Sequence, residues 1–413
     1  MAPMYELSQY VDIARVVTDK KYALEKHLTV KVLNAVENST SDKLYLLQYI
    51  KHELNGDNLT TLGQFRSVIT DGKKILSFAP PKSIAFDTFK SYCEYGNASI
   101  LEFCEGTMIN LFYNSVRGDW ELATRGNIGA RCKFYQHVDK TFRTMFLEAM
   151  IRVNLKFQEL DTAKSYSFVL QHRDNRIVVP FTTKTLVLTN IYSFDGFVVH
   201  QEEASYVESE AARLKCCYPR SFNDISNTTH INYDAIVDHF NTMRVEYEIV
   251  GAMFIDPRTG LRTKLRNPTY EYVRRLKGNS PKRQFQYYNL RKLGKVREYL
   301  HYYPEDKSIF ADFRRNLHAW TNSLLANYND CYIKKLAPLK DFPYAFRPHM
   351  FQLHQMYLNI LRPTNSYVSH KVVIDYVNNL ESPRLMFAIN YNNNKNEIQC
   401  QSKDIDEMLK HVQ

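Results

Sequence analysis

Glycine and proline are scarce in this chain of 413 residues, with 13 of one and 14 of the other. That is about half the usual share and excludes collagen-like repeats, long flexible linkers and low-complexity tails. No stretch approaches the ~18–20 consecutive apolar residues that span a bilayer. The opening, MAPMYELSQYVDIARVV, lacks a basic start followed by a long apolar run, so no secretion signal is expected. There is no internal repeat. Cysteine is also limited: seven residues, at 93, 104, 132, 216, 217, 331 and 400, an odd number without a single CxxC. This speaks against a disulfide framework and for a reducing compartment. Neither adjacent Cys216 and Cys217 nor His349 and His354, five apart, has the spacing of a zinc site. The expectation is a soluble, intracellular, cytoplasmic protein without a membrane or metal attachment.

What remains is an ordinary globular composition, 44% apolar and 24% charged, enough for a core and about two or three domains. Lys and Arg number 54 against 44 Asp and Glu, a formal net charge of +10. A basic balance points to an acidic partner, nucleic acid or nucleotide first. The surplus is local. Between Arg258 and Arg315 sixteen Lys and Arg face five Asp and Glu, which accounts for the whole excess. Tyr270, Tyr272, Tyr287, Tyr288, Tyr299, Tyr302 and Tyr303 are interleaved with them. Cations neutralise phosphates, and aromatic rings stack on unpaired bases. The other reading is a solvated helix face whose tyrosines belong to the core. The candidate nucleic-acid contacts are Arg274, Arg275, Lys277, Lys282, Arg283, Arg291 and Lys292.

Periodicity divides the chain further. Residues 1–55 read as a helical segment, with Leu7, Tyr10, Val11, Ala14 and Val17, then Leu46, Leu47, Ile50 and Leu54, at helical spacing. From about 62 to 125 short β-rich runs (SVIT, ILSF, SILEF, TMINLFY, WELAT) alternate with turn signals at Asp71-Gly72, Pro80-Pro81, Gly96-Asn97 and Arg117-Gly118-Asp119. A helix is expected from Phe142 to about Phe157. Sheet follows in SYSFVLQ, NRIVVPF and TLVLTNIY, helices near 201–215 and 233–243, and a strand in AMFID. Beyond about 270 the chain reads as mainly helical. The expected domains are residues 1–55, 56–280 and 281–413.

Four blocks carry a resemblance. The first is Arg66-Ser-Val-Ile with Phe78-Ala-Pro-Pro-Lys82-Ser. The second is Glu105-Gly106-Thr-Met-Ile-Asn-Leu-Phe-Tyr113, then Asp119-Trp-Glu-Leu-Ala-Thr-Arg125-Gly126. The third runs Phe168 to Val178 and includes Asn175-Arg176. The fourth is Gly251-Ala-Met-Phe-Ile255, then Lys264-Leu-Arg266 and Tyr270. In order and spacing they resemble the phage-type, tRNA-repair RNA ligases of the covalent nucleotidyltransferase superfamily, common in viruses with large DNA genomes. The resemblance implies an α+β fold: a nucleotidyltransferase domain of ATP-grasp-like antiparallel sheets, N-terminal helices and a helical C-terminal domain. It implies ATP and Mg²⁺ as cofactors of an active member. A lysine of a Lys-x-Asp-Gly element takes AMP from ATP, carboxylates contact ribose and metal, and a late Lys-x-Lys pair neutralises phosphates.

The chain departs from that pattern at the reacting positions. Aligning Glu105-Gly106 on the Asp-Gly puts Phe103 where the lysine stands, and the matching alignments put Val169 and Val250 at two glutamates. The late pair survives as Lys264 and Arg266. Members of a catalytic unit are not independently dispensable, so the resemblance implies an RNA-ligase-like protein without catalysis. It would bind RNA, favoured over DNA, through a basic groove, with a nucleotide as a further partner. The alternative is an active ligase joining a 5′-phosphate to a 3′-hydroxyl through a relocated amine, Lys82 first and Lys90 second, with Glu102, Glu105 or Glu248 as substitute carboxylates. Cofactor contacts are then expected at Glu105, Gly106, Arg125, Lys264 and Arg266. A further alternative is a scaffold or virion component. Gly106 reads as a backbone requirement or a close approach to a base, and Asn175-Arg176 as a hairpin turn before a catalytic pair.

Overall fold

A computed structural model of the chain describes residues 2–34, 43–115, 117–135, 138–241 and 245–391. Its architecture is α+β with antiparallel sheets. Fourteen strands are present among the described residues: β1 (Met4–Glu6), β2 (Leu28–Asn34), β3 (Lys43–Tyr49), β4 (Val68–Thr70), β5 (Ile75–Phe78), β6 (Ser99–Glu102), β7 (Thr107–Asn114), β8 (Asp119–Thr124), β9 (Asn127–Ile128), β10 (Lys164–Gln171), β11 (Thr185–Asp195), β12 (Val198–Gln201), β13 (Gly251–Ile255) and β14 (Arg262–Arg266). They form a seven-stranded sheet ordered β1-β12-β11-β10-β7-β8-β9, a four-stranded sheet β2-β3-β4-β5 and a three-stranded sheet β14-β13-β6. The chain separates into two compact units, residues 1–275 and 276–413. All three sheets belong to the first.

The seven-stranded sheet is built on strands buried on both faces. In β10, Ser165 to Leu170 are all buried, which is why that run lacks a clean two-residue alternation. One face packs on the helices Phe142–Val153 and Ala204–Arg213, around Phe146, Phe168 and Leu188. Thr141 caps the first of these helices by accepting from the Thr144 amide, and Asn154 closes it in the left-handed region. The other face receives the four-stranded sheet through Leu46, Ile69, Leu76 and Phe112. The Ser77 and Ser165 hydroxyls meet between the sheets at 3.1 Å.

Two expectations are corrected here. Residues 1–55 are not a helical segment. After the short helices Ile13–Thr18 and Lys20–Glu25 the chain turns into β2 and β3, paired from Leu28↔Tyr49 to Asn34↔Lys43. Leu44, Leu46, Leu47 and Tyr49 are all buried, so both faces of β3 are apolar and the periodicity was ambiguous. NRIVVPF is not a strand either: β10 ends at Gln171 and β11 starts at Thr185. Its amides are taken up by a carboxylate, as described below.

The second unit is helical, and its long helix Lys307–Tyr328 carries Phe310, Leu317, Trp320 and Leu324 inward. Tyr287, Tyr288, Tyr299 and Tyr303 are core residues of this unit, not exposed stacking surfaces. Tyr299 donates to the Asp306 carboxylate at 2.5 Å, and Tyr299 stacks on both Tyr303 and Phe310. The six cysteines among the described residues are free thiols, and no helix there is long and apolar enough to cross a membrane.

Candidate phosphate-binding cavity

Strand β14 reads Arg-Thr-Lys-Leu-Arg. Residues two apart share a face, so Arg262, Lys264 and Arg266 line one side while Thr263 packs into the core. Register carries this face across the small sheet. Arg266 stands opposite Gly251, Lys264 opposite Met253 and Arg262 opposite Ile255, and Met253 in turn stands opposite Leu101 of β6. Just past β6 the Phe103 amide donates to the Gly251 carbonyl at 2.9 Å. That bond sets Phe103 beside the cationic face.

The result is a cavity of about 340 Å³ in the first unit. It is lined by Phe103, by Val169 and Met108 from the large sheet, and by six cations: Arg66, Lys82, Arg125, Arg262, Lys264 and Arg266. The Phe103 ring lies 5.5 Å from the Lys264 ammonium and 5.4 Å from the Arg266 guanidinium. Each cation is attracted to the π-face.

The loop after β5 fixes two of the guanidiniums. Proline has no N–H, so Pro80-Pro81 offers main-chain acceptors only. Arg262 donates to the Pro81 carbonyl at 2.7 Å and the Pro80 carbonyl at 3.0 Å, and Arg66 donates to Pro80 at 3.3 Å. These neutral acceptors leave the charges uncancelled. Neither the Lys82 nor the Lys264 ammonium has a hydrogen-bond or ion-pair partner among the described residues. Burial, then Arg266 and Lys82, lowers the Lys264 pKa to about 8. Burial followed by Arg66 lowers that of Lys82. Arg266 is shared with Glu271 at 2.6 Å, but its Nε is buried without a partner. The lining thus presents several cations and few counter-charges.

The divalent metal implied by the resemblance does not fit the donor set. Glu102 is the one carboxylate lining the cavity, and Arg220 holds it with two bonds of 3.1 and 3.0 Å. Among the described residues no group of three or more His, Cys, Asp or Glu could hold a metal ion.

Several expected site residues lie elsewhere. Glu105, expected as a cofactor contact, does not line the cationic cavity and instead borders the neighbouring one. Its buried carboxylate accepts from the Val178 amide at 3.0 and 3.1 Å and from the Val179 amide at 3.0 Å, and also bonds the Tyr270 hydroxyl. It is a staple for the 176–184 loop. Gly106 does line the cavity, but the requirement is structural: its φ is +150° and a Cβ would lie 2.5 Å from the Leu170 carbonyl oxygen. Asn175 closes a one-turn helix and donates to Thr107 at 2.9 Å. Lys90 pairs with Asp87 at 3.1 Å, away from the cavity. Val250 and Glu248 line a neighbouring cavity of about 750 Å³, together with Glu102, Phe103 and Cys217. Of the three apolar replacements, Phe103 and Val169 therefore share the cationic cavity and Val250 does not.

The 258–315 charge surplus is divided as well. Arg274 pairs with Glu271, Arg283 with Asp306, Arg291 with Asn378 and Lys292 with Glu381. Lys277 stands 4.9 Å over the Tyr303 ring. Arg275 and Lys282 are exposed. Sequence reasoning gave no role to Arg262, Arg220 or the cavity-lining Tyr49, and Arg66 entered only as the opening of the first block. Arg262 had a visible signal, the two-residue spacing that joins it to Lys264 and Arg266.

In sequence the chain is RNA-ligase-like. Over 204 residues the chain is 26% identical to an RNA ligase of Rhodothermus phage RM378, covering 43% of this chain and 46% of that protein. The chain thus spans somewhat under half the length of that curated relative. Among solved structures it is similar to an archaeal ATP-dependent RNA ligase (12% identity, TM-score 0.35, 94% of this chain and 80% of that one). It is also similar to a candidate ATP-dependent DNA ligase from Aquifex aeolicus (11% identity, TM-score 0.41, 83% and 80%). No protein-family model matches the chain.

Proposed function

We propose that this chain is an RNA-ligase-like protein that holds a phosphate-bearing RNA end or a nucleotide in the cation-lined cavity, without carrying AMP on residue 103. The observation behind it is the Phe103 ring between Lys264 and Arg266. A phenyl ring has neither lone pair nor charge to attack a phosphorus, while the surrounding cations are those that bind phosphate. RNA is preferred over DNA because the curated relative is named an RNA ligase, and its phage source fits a viral setting. Incubation with α-labelled ATP and magnesium or manganese is expected to leave the protein unlabelled. RNA with a 5′-phosphate is expected to bind more tightly than the 5′-hydroxyl form. A covalent protein–AMP adduct would overturn the proposal.

A second reading is favoured by Lys82. It lines the same cavity, and burial beside Arg66 lowers its pKa, which raises the share of nucleophilic amine. Its Nζ would attack the α-phosphorus of ATP. A P–N bond forms, the bond to pyrophosphate breaks, and the amine proton goes to solvent. The reading requires an adduct in the wild type that disappears in Lys82→Ala.

A further inference from the structure

Resting on the proposed function and narrowing its ligand, we infer that the cavity binds an uncomplexed triphosphate, from a nucleoside triphosphate or a 5′-triphosphate RNA end, without a divalent metal. Three independent features lead there. The first is charge. Six cations line about 340 Å³, and the one carboxylate among the lining residues is already held by Arg220. A free triphosphate answers that charge, whereas Mg²⁺ would cancel two of its negative charges and add repulsion toward the cations. The second is the missing metal seat. Both Arg220 bonds fall on one oxygen of Glu102 and the other oxygen accepts from the Cys104 thiol at 3.3 Å, and no His, Cys, Asp or Glu cluster elsewhere among the described residues would supply a seat. Hard divalent cations need oxygen donors, carboxylates above all. The third is donor supply. Among the described residues the half-buried Lys82 and Lys264 ammoniums have no hydrogen-bond or ion-pair partner, and the buried Arg266 Nε has none. A buried donor such as this Nε is costly unless a ligand satisfies it. In effect the guanidiniums and amines stand where a metal ion would neutralise phosphate oxygens.

Calorimetry on the full chain tests this with inorganic tripolyphosphate, ATP and a short 5′-triphosphate RNA, each in EDTA and in excess magnesium. All binding partners are expected to be about tenfold tighter in EDTA. Equal affinity for tripolyphosphate and ATP would place the recognition in the phosphate chain, and a gain for the RNA would assign the source to an RNA end; both support the inference. Binding that needs magnesium, or is tightened by it, overturns the inference. So does failure of all three ligands while 5′-monophosphate RNA still binds, an outcome that leaves the proposed function standing. Failure of every phosphate ligand sinks both. Lys264→Gln is expected to weaken triphosphate binding about tenfold. A thermal melt no lower than that of the wild type separates a lost contact from a misfolded variant.

Discussion

Lys264 shows what the cavity costs the fold. Its ammonium faces Arg266 on its own strand, and Lys82, Arg66 and Arg262 around it. The folded amine titrates at about 8, against 10.5 for an ordinary lysine. Below pH 8 both folded and unfolded chains carry the proton, and the folded one holds it among like charges. Between 8 and 10.5 the unfolded chain binds a proton that the folded chain has released, so stability attributable to this group rises with pH. Lys264→Gln removes the repulsion at every pH. Its melting temperature should exceed that of the wild type below pH 8, and the difference should shrink toward pH 10.5. A difference that grows with pH would contradict the assignment. Glu105 is the opposite case. Its buried carboxylate satisfies the amides of Val178 and Val179. Glu105→Ala orphans both and should cost about 3 kcal/mol in chemical denaturation. That this acid serves a loop was not legible beforehand, because its partners are main-chain amides more than seventy residues away.

Among the elements, the strands that position the site were easier to read than those beneath it. The alternation of Arg262, Lys264 and Arg266 is preserved in sequence because one face of β14 meets the cavity and the other the core. In β3 no alternation survives, since both faces are covered, and Leu46, Leu47, Ile50 and Leu54, three and four apart, imitate a helix. The loop at 176–184 imitates a strand because Ile177, Val178 and Val179 are β-branched, although their neighbourhood offers a carboxylate instead of a partner strand. The glycine opening β13 shows how tightly the small sheet is set. Gly251 has φ +147°, and a Cβ there would stand 2.1 Å from the Leu265 carbonyl oxygen. Gly251→Ala must therefore displace β14 and, with it, the three cations it carries. We expect a loss of several kcal/mol in denaturant unfolding together with loss of phosphate binding. Gly278→Ala is the control for positive φ alone, because nothing lies within 4 Å of the added carbon. Its cost should stay near 1 kcal/mol.

For the molecule as a whole, net charge pointed to an acidic partner, and the proposed seat for it lies apart from much of the surplus. The surplus between residues 258 and 315 divides between two compact units. In the second unit part of it lies in ion pairs, those of Arg283, Lys292, Lys295 and Arg315, and part beside a tyrosine-rich core. The specific cations lie instead in the first unit, drawn from positions 66, 82, 125, 262, 264 and 266. No window of sequence could gather these, because the fold brings together residues about two hundred apart. Under the proposed function, two kinds of basic residue would make separable contributions to RNA binding. Arg275 and Lys282 are exposed, and a contact from either to a backbone phosphate would be independent of what the RNA end carries. Neutralising each to Gln should lower the slope of log affinity against log salt by about 1, equally for 5′-phosphorylated and 5′-hydroxyl RNA. Lys264→Gln should instead abolish the preference between those two RNAs. A change in 5′-phosphate preference on replacing Arg275 or Lys282, or its survival in Lys264→Gln, would move the recognition site away from the cavity.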